Sequence, residues 1–252
     1  MCRLLLATGR FDAGQVLEAA VDMACGRTAD HEGPIFRHPN GWGAVWRDPD
    51  GSGRLRVHRD VRPIEESFQD SPLVDLRTDV LAIHTRHATI PTKLGLEFTH
   101  PLERVDVVPW YFMHNGFLPT VHLRLGLSDS VFDSREYFDY IVPAEARALD
   151  PVATLALLRD IPVGGSSGNA FAVNPYAAYV IHWTPPQEAR PRYFGMSRLD
   201  TAAATFVSSE ILPQFASAAD WRPLPADHVL EIPFAPTARV AHLGKDTHHA
   251  HV

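Results

Sequence analysis

Apolar residues along this chain fall into short runs and alternations, and that pattern sets the expected elements. Residues 4–7, Leu-Leu-Leu-Ala, read as a short buried strand. Val16, Leu17, Ala20, Val21 and Ala24 recur at helical spacing behind Asp12, so the pattern predicts a capped helix over 13–24. Residues 42–46 and 54–59 flank the turn sequence Asp48-Pro49-Asp50-Gly51-Ser52-Gly53 and predict a hairpin. Further strands are expected at 80–85 and 110–114. Helices follow at 134–141 and 151–159, the second with Pro151 in its first turn. Strands return at 170–173, 178–183, 204–207 and 229–232. The order is strands, helices, then strands, without regular alternation. That order predicts an α+β layered sandwich and not a doubly wound parallel sheet. Gly164-Gly165-Ser166-Ser167-Gly168 has the composition of a linker, but apolar patterning resumes at once, so a tight loop within a single domain is expected.

Composition narrows the function classes. The chain has 252 residues, 45% hydrophobic and 21% charged, as expected of a soluble globular protein with a large core. A formal net charge of −7 with scattered basic residues argues against a nucleic-acid or anionic-membrane partner. No apolar run approaches the ~20 residues of a membrane helix. The opening apolar run is too short for a signal peptide and lacks a cleavage motif. Two cysteines, Cys2 and Cys25, fit a reducing cytoplasm better than a disulfide scaffold. Residues 243–252, with His248, His249 and His251, are expected to form a disordered tail.

Cys2 is the first candidate for chemistry. It follows the initiator directly, and its small side chain predicts removal of Met1. One residue would then carry a thiol and a free α-amine whose ordinary pKa is roughly 7.7–8.0. Nucleophile and general base would come together. Other polar clusters sit where strands are expected to end. In His84-Thr85-Arg86-His87-Ala88-Thr89, Arg86 offers a two-pronged donor for a carboxylate, or a surface ion pair. Thr99-His100-Pro101 is a second cluster. His114-Asn115-Gly116 reads as a hairpin turn or as an oxyanion hole, in which one donor contributes about 3 kcal/mol. Asp133 reads as a helix cap or as a carboxylate for a substrate ammonium. Asn40-Gly41-Trp42-Gly43 and Ser208-Ser209-Glu210 complete the set.

In order and spacing, Cys2, Gly-Trp-Gly, His-x-Arg-x-Ala-Thr, Thr-His-Pro, His-Asn-Gly, Asp-Ser and Ser-Ser-Glu resemble the class II glutamine amidotransferase domain. This is a family of N-terminal-nucleophile hydrolases. The resemblance runs from Cys2 to about Pro233 and is nearest to the stand-alone branch, which includes the γ-glutamyl hydrolase of ergothioneine biosynthesis. It implies a four-layer αββα sandwich, with residues 2–242 as the domain. It implies that Cys2 attacks a γ-carbonyl and that its α-amine moves the proton. Arg86 would hold the α-carboxylate, Asp133 the α-ammonium, and Asn115 and Gly116 the oxyanion. His84, Thr89, His100 and Trp42 would wall the pocket. No cofactor or metal is implied. The partner implied is a small γ-glutamyl substrate; the resemblance allows either a separate synthase subunit that takes the ammonia or direct hydrolysis without one, and it allows a homo-oligomer. Departures fall near the expected pocket: Asn40 replaces an acid, His87 a small or aromatic residue, Leu102 an aromatic, and Arg135 an acid.

Two other classes compete. Fourteen histidines, with His84, His87, His100 and His114 near strand ends, raise a metallohydrolase, but no HExxH or paired His-carboxylate spacing is present. A catalytically inactive binding homologue is the non-enzymatic reading, and the intact residue set argues against it.

Overall fold

The computed structural model describes residues 2–188, 190 and 192–236, so the His-rich tail and the end of the 2–242 span lie outside the described residues. A seven-stranded sheet contains β1 (Arg3–Gly9), β2 (Trp42–Arg47), β3 (Leu55–Asp60), β4 (Val80–Thr85), β9 (Ser197–Asp200), β10 (Ala204–Ser208) and β11 (Arg222–Pro223). Its order is β11-β9-β10-β1-β4-β2-β3. A five-stranded sheet contains β5 (Leu102–Val105), β6 (Pro109–Gly116), β7 (Gly168–Val173), β8 (Ala177–His182) and β12 (His228–Pro233), ordered β12-β8-β7-β6-β5. The strand pairs are antiparallel. The helices are α1 (Ala13–Ala24), the one-turn α2 (Ile64–Ser67), α3 (Asp133–Ile141) and α4 (Pro151–Asp160).

Period-two alternation sorts the side chains into three apolar bodies. Leu4, Leu6, Ala82, Met113, Phe171 and Val173 meet between the two sheets. Leu5, Ala7, Leu81 and Ile83 face the other way and bury the apolar stripe of α1. Trp110, Phe112, Ala170 and Ala172 point out of the second sheet against α3 and α4. Asp12 caps α1 by accepting from Gln15 N–H at 3.2 Å, as its position predicted. Asp150 caps α4 by accepting from Ala153 N–H at 2.7 Å.

Three expectations change. Asn115-Gly116 is the last pair of β6, in register with Asn169 and Gly168, and not a hairpin turn. Asp133 is not a cap: Phe132 holds that position without a side-chain bond, and Asp133 lies in the first turn of α3. The strands β5, β9 and β11 were not anticipated. Each is four residues or fewer and carries arginine, and β5 and β11 lie at sheet edges, where the apolar signal is weakest. Among the described residues no helix is long and apolar enough to cross a membrane.

Candidate active site

Cys2 enters at the head of β1, which runs beside β4 with Arg3 opposite Thr85 and Leu4 opposite His84. That register carries the His84-Thr85-Arg86 sequence to the thiol. The Cys2 backbone nitrogen crosses to the other sheet and donates to Asn115 Oδ1 at 2.8 Å. Asn115 is fully buried, and its Nδ2 has no partner among the described residues. A buried amide donor left without a partner is unusual. At Gly116 an added Cβ would lie 1.8 Å from the Ser167 carbonyl oxygen, so only glycine lets β6 and β7 close here.

Burial raises the Cys2 thiol, but His84, with help from the charge of the terminal amine and then the Arg86 guanidinium, outweighs it and brings the thiol to about 6. His84 is itself fully buried, with Nε2 3.1 Å from the His114 carbonyl oxygen. A carbonyl only accepts, so Nε2 carries the proton. Nδ1 has no hydrogen-bond partner among the described residues, and the thiol itself lies 3.9 Å from the His87 carbonyl oxygen, so His84 acts on it chiefly through charge. His100 packs behind His84 at 4.3 Å between ring centroids, and burial pushes it well below the usual histidine range. His114 bonds Ser134 Oγ at 2.9 Å through Nδ1 and the Ser167 carbonyl at 3.0 Å through Nε2. The carbonyl can only accept, so Nε2 carries a proton, while Ser134 Oγ can either donate to Nδ1 or accept from it; burial lowers the His114 pKa and favours the neutral ring.

Arg86 and Asp133 line one small pocket with Cys2, Thr89, His100 and Gly116, a cavity of about 40 Å³. Arg86 is nearly buried, yet among the described residues its guanidinium hydrogen-bonds only to backbone carbonyls: Lys93 at 2.6 Å and Asn40 at 3.5 Å. Burial pushes its pKa down, with Cys2, Asp133 and Glu97 opposing. Asp133 Oδ2 accepts from Leu118 N–H at 2.9 Å and stands 3.9 Å from His114 Nδ1. The pocket therefore presents a thiol, a cation that among the described residues is bonded only to backbone carbonyls, and a carboxylate with one oxygen held by the Leu118 N–H.

Trp42 is not at this pocket. Its indole is fully buried in the core beside α1 and donates to Ser67 Oγ at 2.8 Å. Alternation along β2 sends Trp42, Ala44 and Trp46 to the α1 side of the sheet, so the pocket-wall expectation fails there. His84 lies behind the thiol, not on the pocket surface. Ile90, Lys93 and Phe117 line the pocket without having been singled out, and no short motif marks them; Phe132 and Ser134, which flank Asp133 in the sequence, line it as well. Asn40, a departure from the expected pattern, ties the site loop: its Oδ1 accepts from Ala88 N–H at 3.0 Å. Among the described residues no three His, Cys, Asp or Glu side chains are grouped to hold a metal ion.

The fold is similar to those of solved glutamine amidotransferase structures, class II domain proteins among them. The chain superposes on glutamine phosphoribosylpyrophosphate amidotransferase from B. subtilis with a TM-score of 0.63 and 18% identity, covering 93% of this chain and 49% of that one. A structure described as the allosteric regulatory enzyme of purine biosynthesis gives 0.65, 18%, 93% and 49%. A glutamine aminotransferase class-II domain protein from Silicibacter pomeroyi gives 0.51 and 16% identity, covering 93% of this chain and all of that one. The chain spans about half the length of the first two. No protein-family model and no curated protein matches the sequence. At these identities the likeness is one of fold.

Proposed function

We propose that this chain is an N-terminal cysteine amidohydrolase that cleaves a γ-glutamyl amide through a thioester on Cys2. The observation that carries the reading is one pocket walled by Cys2, Arg86 and Asp133, with the Cys2 nitrogen held 2.8 Å from Asn115 Oδ1. A free α-amino acid needs one fixed cation and one fixed anion, and Arg86 and Asp133 supply them. Once Met1 is removed, the Cys2 nitrogen is the α-amine. The thiolate, held by His84, attacks the γ-carbonyl. The oxygen that becomes negative is taken by Asn115 Nδ2 and the Gly116 N–H. The α-amine delivers a proton to the departing nitrogen, and ammonia or an amine leaves. The same amine then draws a proton from water, which cleaves the thioester and releases glutamate. In this reading the two sheets and their outer helices form the four-layer αββα sandwich of N-terminal-nucleophile hydrolases. The compartment is the cytoplasm.

Intact-mass spectrometry of the untagged chain, before and after a glutamine-shaped electrophile such as 6-diazo-5-oxo-L-norleucine, tests the reading. Loss of Met1 with one adduct on Cys2 is the expected result. Retained Met1, or no adduct on Cys2, would overturn it. A glutaminase assay then separates two outlets: full activity alone means direct hydrolysis, and weak activity raised by a second protein means ammonia supply to a synthase.

A further inference from the structure

The Ser208-Ser209-Glu210 cluster ending β10 does not line the pocket, yet it holds the first residues of the chain. Ser209 N–H donates to the Leu4 carbonyl at 2.9 Å, and Leu4 N–H to Ser209 Oγ at 3.0 Å. Glu210 Oε1 accepts from Arg3 Nε at 2.5 Å, and its Oε2 from Thr28 Oγ1 at 2.5 Å. Arg3 in turn donates from Nη1 to the Cys2 carbonyl at 3.0 Å. Its Nη2 lies 2.6 Å from His31 Nε2, and its guanidinium sits 4.6 Å over the Tyr193 ring. Arginine carries only donors, so His31 accepts here and is neutral. Arg3 is fully buried and Glu210 nearly so.

Stability is a weak reason to bury such a pair. Desolvating two charges offsets most of their attraction, and packed apolar residues of similar size often do as well. What this pair accomplishes is local: it fixes the carbonyl of the one residue that carries the thiol. Carbonyl, nitrogen and side chain of Cys2 share a single Cα. A held carbonyl leaves the thiol one rotatable bond and keeps the nitrogen against Asn115. We propose that Glu210, acting through Arg3, is a positioning residue that locks the Cys2 backbone, so that its thiol meets His84 and its nitrogen meets Asn115. The proposal rests on Cys2 being the nucleophile. Thr28 and His31 tie the loop between α1 and β2 into the same clamp.

Two variants test it: Glu210→Gln, which keeps shape and removes charge, and the double variant Arg3→Met/Glu210→Met, which replaces the pair by apolar packing. Each is assayed for Tm, for kcat and KM with L-glutamine, and for the pH midpoint of Cys2 alkylation by iodoacetamide. The double variant is expected to keep its Tm within about 5 °C. Its kcat is expected to fall about 10- to 100-fold, the effect of misplacing a reacting atom by about an ångström. KM should stay near wild type, because Arg86 and Asp133 are untouched. The alkylation midpoint should rise from about 6 toward the ordinary value of about 8.5. A merely structural pair would change Tm and leave the midpoint alone. If either variant folds with wild-type kcat and midpoint, the clamp is refuted. If the wild-type protein has no glutaminase activity, the functional reading fails, and the alkylation midpoint still decides the clamp.

Discussion

His84→Asn removes the imidazole that holds the Cys2 thiol down and keeps an amide donor at the site. With His84 gone, burial outweighs Arg86 and the thiol returns toward 9.0 from about 6. At pH 7 the thiolate fraction then drops from about 0.9 to about 0.01. The rate does not fall in proportion, because a more basic thiolate is a better nucleophile. With a Brønsted slope of about 0.4–0.5, three pH units raise its intrinsic reactivity roughly 15- to 30-fold. Alkylation by iodoacetamide at pH 7 should therefore slow only about three- to sixfold. Above pH 10 the variant should react about 15- to 30-fold faster than wild type. The two pH–rate curves cross, and the midpoint moves up by about three units. The assay is intact-mass alkylation kinetics from pH 4.5 to 10.5, with circular dichroism to confirm the fold. A folded variant whose midpoint stays near 6 would refute His84 as the cause of the lowered thiol. The sign has a consequence for stability as well. A thiol depressed in the folded state stabilises it above the unfolded value near 9.0, and that contribution is lost as pH falls from there to about 6.

Arg86→Met should raise KM for L-glutamine about 10- to 150-fold, the loss of about 1.5–3 kcal/mol from a charged hydrogen bond. Steady-state kinetics check it, and a large kcat loss at unchanged KM would contradict carboxylate binding. Asn115→Ala should lower kcat about 10²- to 10³-fold by removing an oxyanion donor. Retention of wild-type kcat in folded protein would move that role elsewhere. Gly116→Ala should cost about 1–3 kcal/mol, because the new Cβ meets the Ser167 backbone at 1.8 Å. Calorimetry should show a Tm drop of roughly 2–12 °C, and an unchanged Tm would mean that β6 and β7 part there without strain.

How much of this was legible in the sequence depends on how local each cause is. Helix α1 was readable to the residue, since Asp12 and the stripe from Val16 to Ala24 are neighbours in the chain. The long apolar strands were readable because alternation and length agree. Asn115-Gly116 misled in its bland reading, because the pair codes for a turn in isolation while pairing with Gly168 keeps it in β6. Trp42 misled through a motif: Gly-Trp-Gly marks the strand entry, but the face its indole takes follows the parity of β2. Ile90 and Lys93 were invisible, because they reach the pocket only through the packing that brings the loop after β4 against the start of α3. The Ser208-Ser209-Glu210 cluster could be found but not interpreted, since Glu210 acquires a role only where β10 lies beside β1 and carries it to Arg3.

The two buried arginines beside Cys2 make the same point in charge. Arg3 has its anion built in: Glu210 lies 2.5 Å away, and the pair is closed off from water. Arg86 is almost as buried, but its bonded partners are two carbonyl oxygens, and no carboxylate pairs with it among the described residues. Carbonyl dipoles compensate a buried guanidinium less fully than a carboxylate does, which is why burial lowers the pKa of Arg86. The fold thus satisfies one cation with an internal carboxylate and the other only with carbonyl oxygens, and in the proposed reading the second is completed by an anion from outside. A ligand carboxylate at Arg86 would gain a desolvated charge pair. An amide or ester in its place would find the carbonyls already there and gain little. Discrimination between γ-glutamyl donors with a free α-carboxylate and those with a blocked one should therefore fall on this residue, in KM.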